Sequence, residues 1–141
     1  MTIKLTWYGH AAFALDVNGA QVLMDPFLTG NTFAPVSADA VEADFILVTH
    51  GHGDHVGDAV AIARRTGALA ISNFEICDWL QAQGVLHTHP QHIGGGFQHP
   101  IPIHYNTFDV IAQDPHAWAE RVRAETAALP VVLEPGEIYE L

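Results

Sequence analysis

Cysteine is almost missing: Cys77 stands alone in 141 residues. That excludes a disulfide framework and a cysteine-rich metal knuckle, and it suits a reducing compartment. Positive charge is scarce too, with 5 Lys plus Arg against 16 Asp plus Glu and a formal net charge of -11. Nucleic acid and anionic membranes are therefore not expected as partners, because both need basic residues to release counterions. No apolar run approaches the roughly 18 residues of a transmembrane helix, and a hydrophobic content of 49% argues against disorder. Met1 to Gly9 lacks the basic start and apolar stretch of a secretory leader, so the expected location is cytoplasmic. What the chain does have is histidine, 10 of them against 5 Lys plus Arg. Imidazole chemistry is indicated before any motif is read.

The length, 141 residues and 15.3 kDa, fits one domain. Ile3, Leu5 and Trp7 alternate with polar neighbours, as do Phe13, Leu15 and Val17, which is the period of a half-buried strand. Asn18-Gly19 is a two-residue hairpin signal, with Val22-Leu23-Met24 as the returning strand. Residues 26–37 read as a loop. Phe45-Ile46-Leu47-Val48 is a continuous apolar run, as in a strand buried on both faces. Val56, Ala59, Val60 and Ala63 follow at helical spacing, with Gly67 as the stop. Leu69-Ala70-Ile71 is a further strand, and Ser72 or Asn73 caps a helix through Gln83. Asp114-Pro115 opens a last helix to about Leu129, and Val131-Val132-Leu133 and Ile138-Tyr139 read as closing strands. The pattern is α/β, with helices on at least one face of a sheet.

The informative stretch is Thr49-His50-Gly51-His52-Gly53-Asp54-His55, directly after the apolar run. Three imidazoles and a carboxylate lie close together, and the glycines let the backbone aim them at one point. Ligand sites of α/β sheets gather at the carboxyl ends of strands, which is where this loop falls. Such a donor set suits Zn, Mn, Fe or Ni. The competing reading is a polar loop with capping residues.

Through its H-x-H-x-D-H loop the chain resembles the metallo-β-lactamase superfamily. More narrowly it is similar to the UPF0173 metal-dependent hydrolases, relatives of the ascorbate-6-phosphate lactonase group. Residues 5–13, 25–31, 49–58, 93–95, 102–108 and 135–137 carry that closer match. The resemblance implies an αββα sandwich whose cleft holds up to two divalent ions, Zn first. His50 and His52 would belong to the first metal position. Asp54 and His55 would belong to the second, completed by His104, with Asp54 also the catalytic acceptor for the water proton. Asp25 would be an outer partner orienting a ligating histidine, and His10 would face the same cleft. The implied reaction is hydrolysis of a small-molecule ester, lactone or phosphoester by metal-activated water.

The chain also departs from the family. A stretch that normally follows Ile93-Gly94-Gly95 has no counterpart, so the join near 96–102 reads as an internal deletion within one domain, 1–141. With it go the first position's third histidine, the bridging aspartate and much of the second sheet. Two expectations follow. One is a hydrolase, and the other is a non-catalytic αβ fragment that binds metal weakly and self-associates. The surviving sheet would expose Trp7, Phe13, Leu15, Phe45 and Leu47, so a homo-oligomer is expected.

Other candidates read as ordinary structure. His87 and His89 share a strand face and can chelate, but as edge imidazoles they need no ligand. His92 or His99 can stand in for the lost histidine, and His116 lies in the first turn of the last helix. Asp58 reads as a holder of loop backbone, Cys77, Trp7, Trp79 and Trp118 as core, and Arg64 and Arg65 as partners of a helix C-terminus.

Overall fold

Strand alternation fixes the N-terminal half. The computed structural model describes residues 3–91, 114–126 and 128–140. β1 (Ile3–Trp7), β2 (Phe13–Val17) and β3 (Ala20–Met24) form an antiparallel meander. Its first hairpin turns at Asn18 and Gly19, with φ of 53° and 93°, the paired positive values that a two-residue turn matching strand twist requires. The Asp16 carboxylate accepts the Gly19 N–H at 2.7 Å.

The chain then becomes α/β. After a 3-10 turn (Ala38–Ala40) come β4 (Phe45–Leu47), the single-turn α1 (Gly53–Val56), α2 (Ala59–Thr66), β5 (Leu69–Ser72), α3 (Phe74–Ala82) and β6 (Thr88–Pro90). α4 (Pro115–Glu125) and β7 (Ile138–Glu140) close the described chain. The sheet is mixed and seven-stranded, in the order β6-β5-β4-β3-β2-β1-β7, with the β3 to β6 pairs parallel. Among the described residues this is the only sheet, one α/β layer of the expected sandwich. No helix is long and apolar enough to cross a membrane among these residues.

The caps follow sequence chemistry. Gly67 ends α2 with φ 76°, and the Asn73 side chain accepts the Ile76 N–H at the start of α3. Asp114 caps α4 through the His116 and Ala117 N–H groups, with Pro115 in the first turn. α4 stops at Glu125, short of the expected Leu129, because Thr126 turns extended (φ -140°, ψ 171°). Residues 131–133 are not a strand. Leu133 instead packs as a plug on Leu5, Trp7 and Phe13.

Register divides the core. Leu23, Ile46 and Ala70 are in-register partners on one face, completely buried under Ile62 and Ala63 of α2 and Ile76 and Leu80 of α3. At about 25 cal/mol per Å² such interdigitated burial supplies most of the driving force. On the other face Leu133 buries Trp7 and Phe13, so the expected exposure of these two residues is corrected. Phe45 does remain exposed, and Leu15 and Leu47 are half-buried. Trp79, expected in the core, is exposed, whereas Cys77 is buried. Arg65 reaches away from its own helix end to the Glu42 carboxylate at 2.8 Å and to the Ala38 and Val41 carbonyls.

Candidate metal centre

The carboxyl ends of β3 and β4 lie side by side, and their exits build the site. Beyond β3, Asp25 adopts φ 41°, a left-handed conformation that aspartate tolerates better than most residues. Its backbone N–H donates to the Leu47 carbonyl at 2.9 Å, pinning it beside the histidine loop. The side chain is buried. One carboxylate oxygen accepts the Thr49 N–H at 2.8 Å. The other accepts the Thr49 hydroxyl at 2.7 Å and lies 2.9 Å from His55 Nδ1.

These contacts set tautomers. A carboxylate only accepts, so His55 Nδ1 carries the proton and Nε2 keeps its lone pair for a metal. The Thr49 hydroxyl spends its own proton on Asp25, leaving its oxygen to accept from His50 Nδ1 at 3.0 Å. His50 Nε2 is thereby also a lone-pair donor, and it lies 3.0 Å from His52 Nδ1. One buried carboxylate thus orients His55 directly and His50 through a threonine. Nothing in the residue pattern had singled out the Thr49 hydroxyl; its place beside a buried acid was the missing information.

The histidine loop runs from β4 into α1, where Gly53 and the single helical turn bring Asp54 and His55 back over the sheet. The His50 and His55 rings stand 3.9 Å apart, and those of His50 and His52 4.6 Å apart. Desolvation, then the charges of His55 and His52, lower the pKa of His50 against the opposing pull of Asp25 and Asp54. The ring is biased toward the neutral form that a metal needs.

His10 enters from the turn after β1. Its φ is 55° and its side chain is completely buried, with Nε2 3.1 Å from Asp54 Oδ2. The Trp7 indole N–H donates to the His10 carbonyl at 3.0 Å, and the imidazole meets Phe27 and His55 edge to face. Ligand atoms of His10, Asp54 and His55 all lie within 4.8 Å of one another. Two imidazoles and a carboxylate are a donor set that fits a divalent metal.

The supporting frame is also built from side chains. Asp58 accepts the Leu28 and Thr29 N–H groups at 3.0 and 2.8 Å, holding the loop that carries Asp25. Asn31 donates to the Phe27 carbonyl at 3.0 Å and to the Tyr8 carbonyl at 3.4 Å, tying the His10 turn to that same loop. The structure therefore brings His10, Asp25, His50, His52, Asp54 and His55 into one cluster. His104, His92, His99 and the join near 96–102 lie outside the described residues. His87, His89 and His116 are exposed, away from any described metal group.

The chain is similar to several known proteins. A UPF0173 metal-dependent hydrolase of Carboxydothermus hydrogenoformans is 55% identical over 95 residues, 67% of this chain and 42% of that protein. One from Methanopyrus kandleri is 52% identical over 93 residues, 66% of this chain and 40% of its own length. The chain thus spans less than half the length of the curated relatives it matches. The structure of Igni18, a novel metallo hydrolase from Ignicoccus hospitalis, superposes with a TM-score of 0.89 at 23% identity, covering 100% of this chain and 99% of that one. Such identity speaks for the fold. The family model of the β-lactamase superfamily domain matches residues 4–108. With that model covering most of its length, the chain belongs to the metallo-β-lactamase superfamily, among relatives named metal-dependent hydrolases.

Proposed function

We propose that this chain hydrolyses a small-molecule ester, lactone or phosphoester with metal-activated water, in the cytoplasm. The carrying observation is the Asp25–His55 contact of 2.9 Å beside Asp54, which presents an imidazole lone pair and a carboxylate to the same space. Asp54 and His55 would hold the catalytic ion, with His104 as the family pattern implies, and His50 and His52 a second one. Zn is the first choice for this nitrogen-rich set, and Mn, Fe or Ni share its ligand preferences. When bound, a divalent ion supplies Lewis acidity and makes water acidic enough to react near neutrality.

The chain's own residues do the rest. Asp25 holds the His55 proton on Nδ1, so the ring cannot turn its N–H toward the ion. Asp54, half-buried, accepts the proton of the attacking water. With a net charge of -11 the surface repels anionic substrates, so local positive charge at the cleft matters more here than usual.

The test is turnover of carboxylic esters, lactones and phosphodiesters by the chain loaded with Zn(II) or Mn(II). Asp54→Asn is expected to cut turnover about 10²–10⁴-fold, the range of a proton-transfer group, with unchanged thermal unfolding. Metal uptake without any turnover would favour the second reading, a non-catalytic αβ fragment, which the 42% coverage of the relative keeps in view.

A further inference from the structure

His10 lies closer to Asp54 than a residue that merely faces the cleft would need to. Its Nε2 is 3.1 Å from Asp54 Oδ2. Two ligands held tetrahedrally at about 2.0–2.1 Å from one zinc ion are themselves about 3.3 Å apart. The two atoms are thus already spaced as neighbours on one ion. His55 supplies the third donor of the group, one ligand atom from each residue lying within 4.8 Å of the others, and its Nδ1 faces Asp25.

The surroundings favour a direct ligand. His10 is completely buried and its backbone sits at φ 55°. Backbone in that region persists where the surroundings impose it, and such places cluster at functional sites. Asn31 and the Trp7 indole hold the turn from both sides. The ring is walled by Phe27 and by His55, with centroids at 5.5 and 5.3 Å, so its freedom to swing away from Asp54 is small.

We propose that His10, through Nε2, is a direct ligand of the divalent ion held by Asp54 and His55. The inference rests on the reading of Asp54 and His55 as metal ligands. It adds a third ligand from the described residues to Asp54 and His55, beside the His104 that the family pattern implies. These three ligands come from the turn after β1 and from α1, within the first 55 residues of the chain.

The experiment uses the full chain, labelled with ¹⁵N and loaded with ¹¹³Cd(II). Imidazole resonances are assigned with His10→Asn and His55→Asn, asparagine being tolerated at positive φ. Scalar coupling of cadmium to both His10 Nε2 and His55 Nε2 is the expected result. Coupling to His55 without coupling to His10 would overturn this inference and leave the metal site standing, with His10 positioning Asp54 by a hydrogen bond. Failure of cadmium to couple to either ring would overturn both. Because the coupling is read on the wild-type chain, a folding defect in the variants cannot mimic a negative. As a second readout, His10→Asn is expected to weaken Cd(II) binding by more than about 100-fold, beyond what loss of an outer partner causes.

Discussion

Asp25 takes three contacts on one buried carboxylate, from the Thr49 N–H, the Thr49 hydroxyl and His55 Nδ1. Asp25→Asn isolates the charge from the shape, since asparagine accepts the φ of 41° at least as readily. Its amide can still accept from the Thr49 N–H, but the NH₂ end now faces His55 Nδ1. A donor there moves the His55 proton to Nε2, where it blocks the metal. Metal affinity is expected to fall about 10–100-fold, as for other outer partners, with little change in fold. Competition with a chelator dye measures it, and an unchanged affinity would mean that the tautomer of His55 is set elsewhere. The residues of this relay differ in how legible they are. His50, His52, Asp54 and His55 stand out because their spacing on one loop is itself the signal. Asp25 and His10 reach the same point from separate strand exits, and their positive φ values are invisible in composition. Only the resemblance to a family drew attention to them.

Between α1 and α2 the chain bends at Gly57, with φ 44° and ψ -122°. A Cβ at this position would come within 2.3 Å of the Pro26 carbonyl oxygen and 2.6 Å of Phe27 Cα. No side chain rotates out of that clash, because both neighbours are backbone. Gly57→Ala is therefore expected to destabilise the fold by about 1–3 kcal/mol through overpacking, and to push residues 25–29 off the histidine loop. Urea unfolding with metal titration checks both effects; a variant of native stability and affinity would show that the two loops need not touch. This close approach explains a boundary that sequence pattern placed differently. Val56 continues the helical spacing of Ala59, Val60 and Ala63, yet it belongs to a separate turn because Gly57 interrupts the helix. The hairpin at Asn18-Gly19 and the caps at Asn73 and Asp114 were legible, since each rests on local chemistry. The end of α4 and the plug at Leu133 were not, since tertiary packing decides them.

At the scale of the whole molecule the two sheet faces are unequal. Helices α2 and α3 close the row Leu23, Ile46 and Ala70 completely. On the opposite face, register places Val22 beside Phe45 and Leu69, and Met24 beside Leu47 and Ile71. Leu133 covers Trp7 and Phe13, but Phe45 is exposed and the other residues of these two rows are only half-buried. The αββα sandwich that the family resemblance implies would set a second layer against this face, and the chain spans 42% of the length of the relative from Carboxydothermus hydrogenoformans. Among the described residues these rows stay partly open to water, and an apolar patch of that kind is one that soluble monomers rarely carry. A second copy related by a two-fold axis can cover the rows with their own equivalents, because a face of Phe, Leu, Ile, Val and Met is self-complementary in chemistry. We therefore expect the 15.3 kDa polypeptide to be a dimer or larger in light scattering with intact-mass control. Phe45→Glu should shift it to monomer, since a carboxylate at the centre of an isologous contact meets its own copy and cannot be desolvated unpaired. A wild-type chain that stays monomeric at high concentration would refute self-association, and a Phe45→Glu variant that remains a dimer would move the contact to another face.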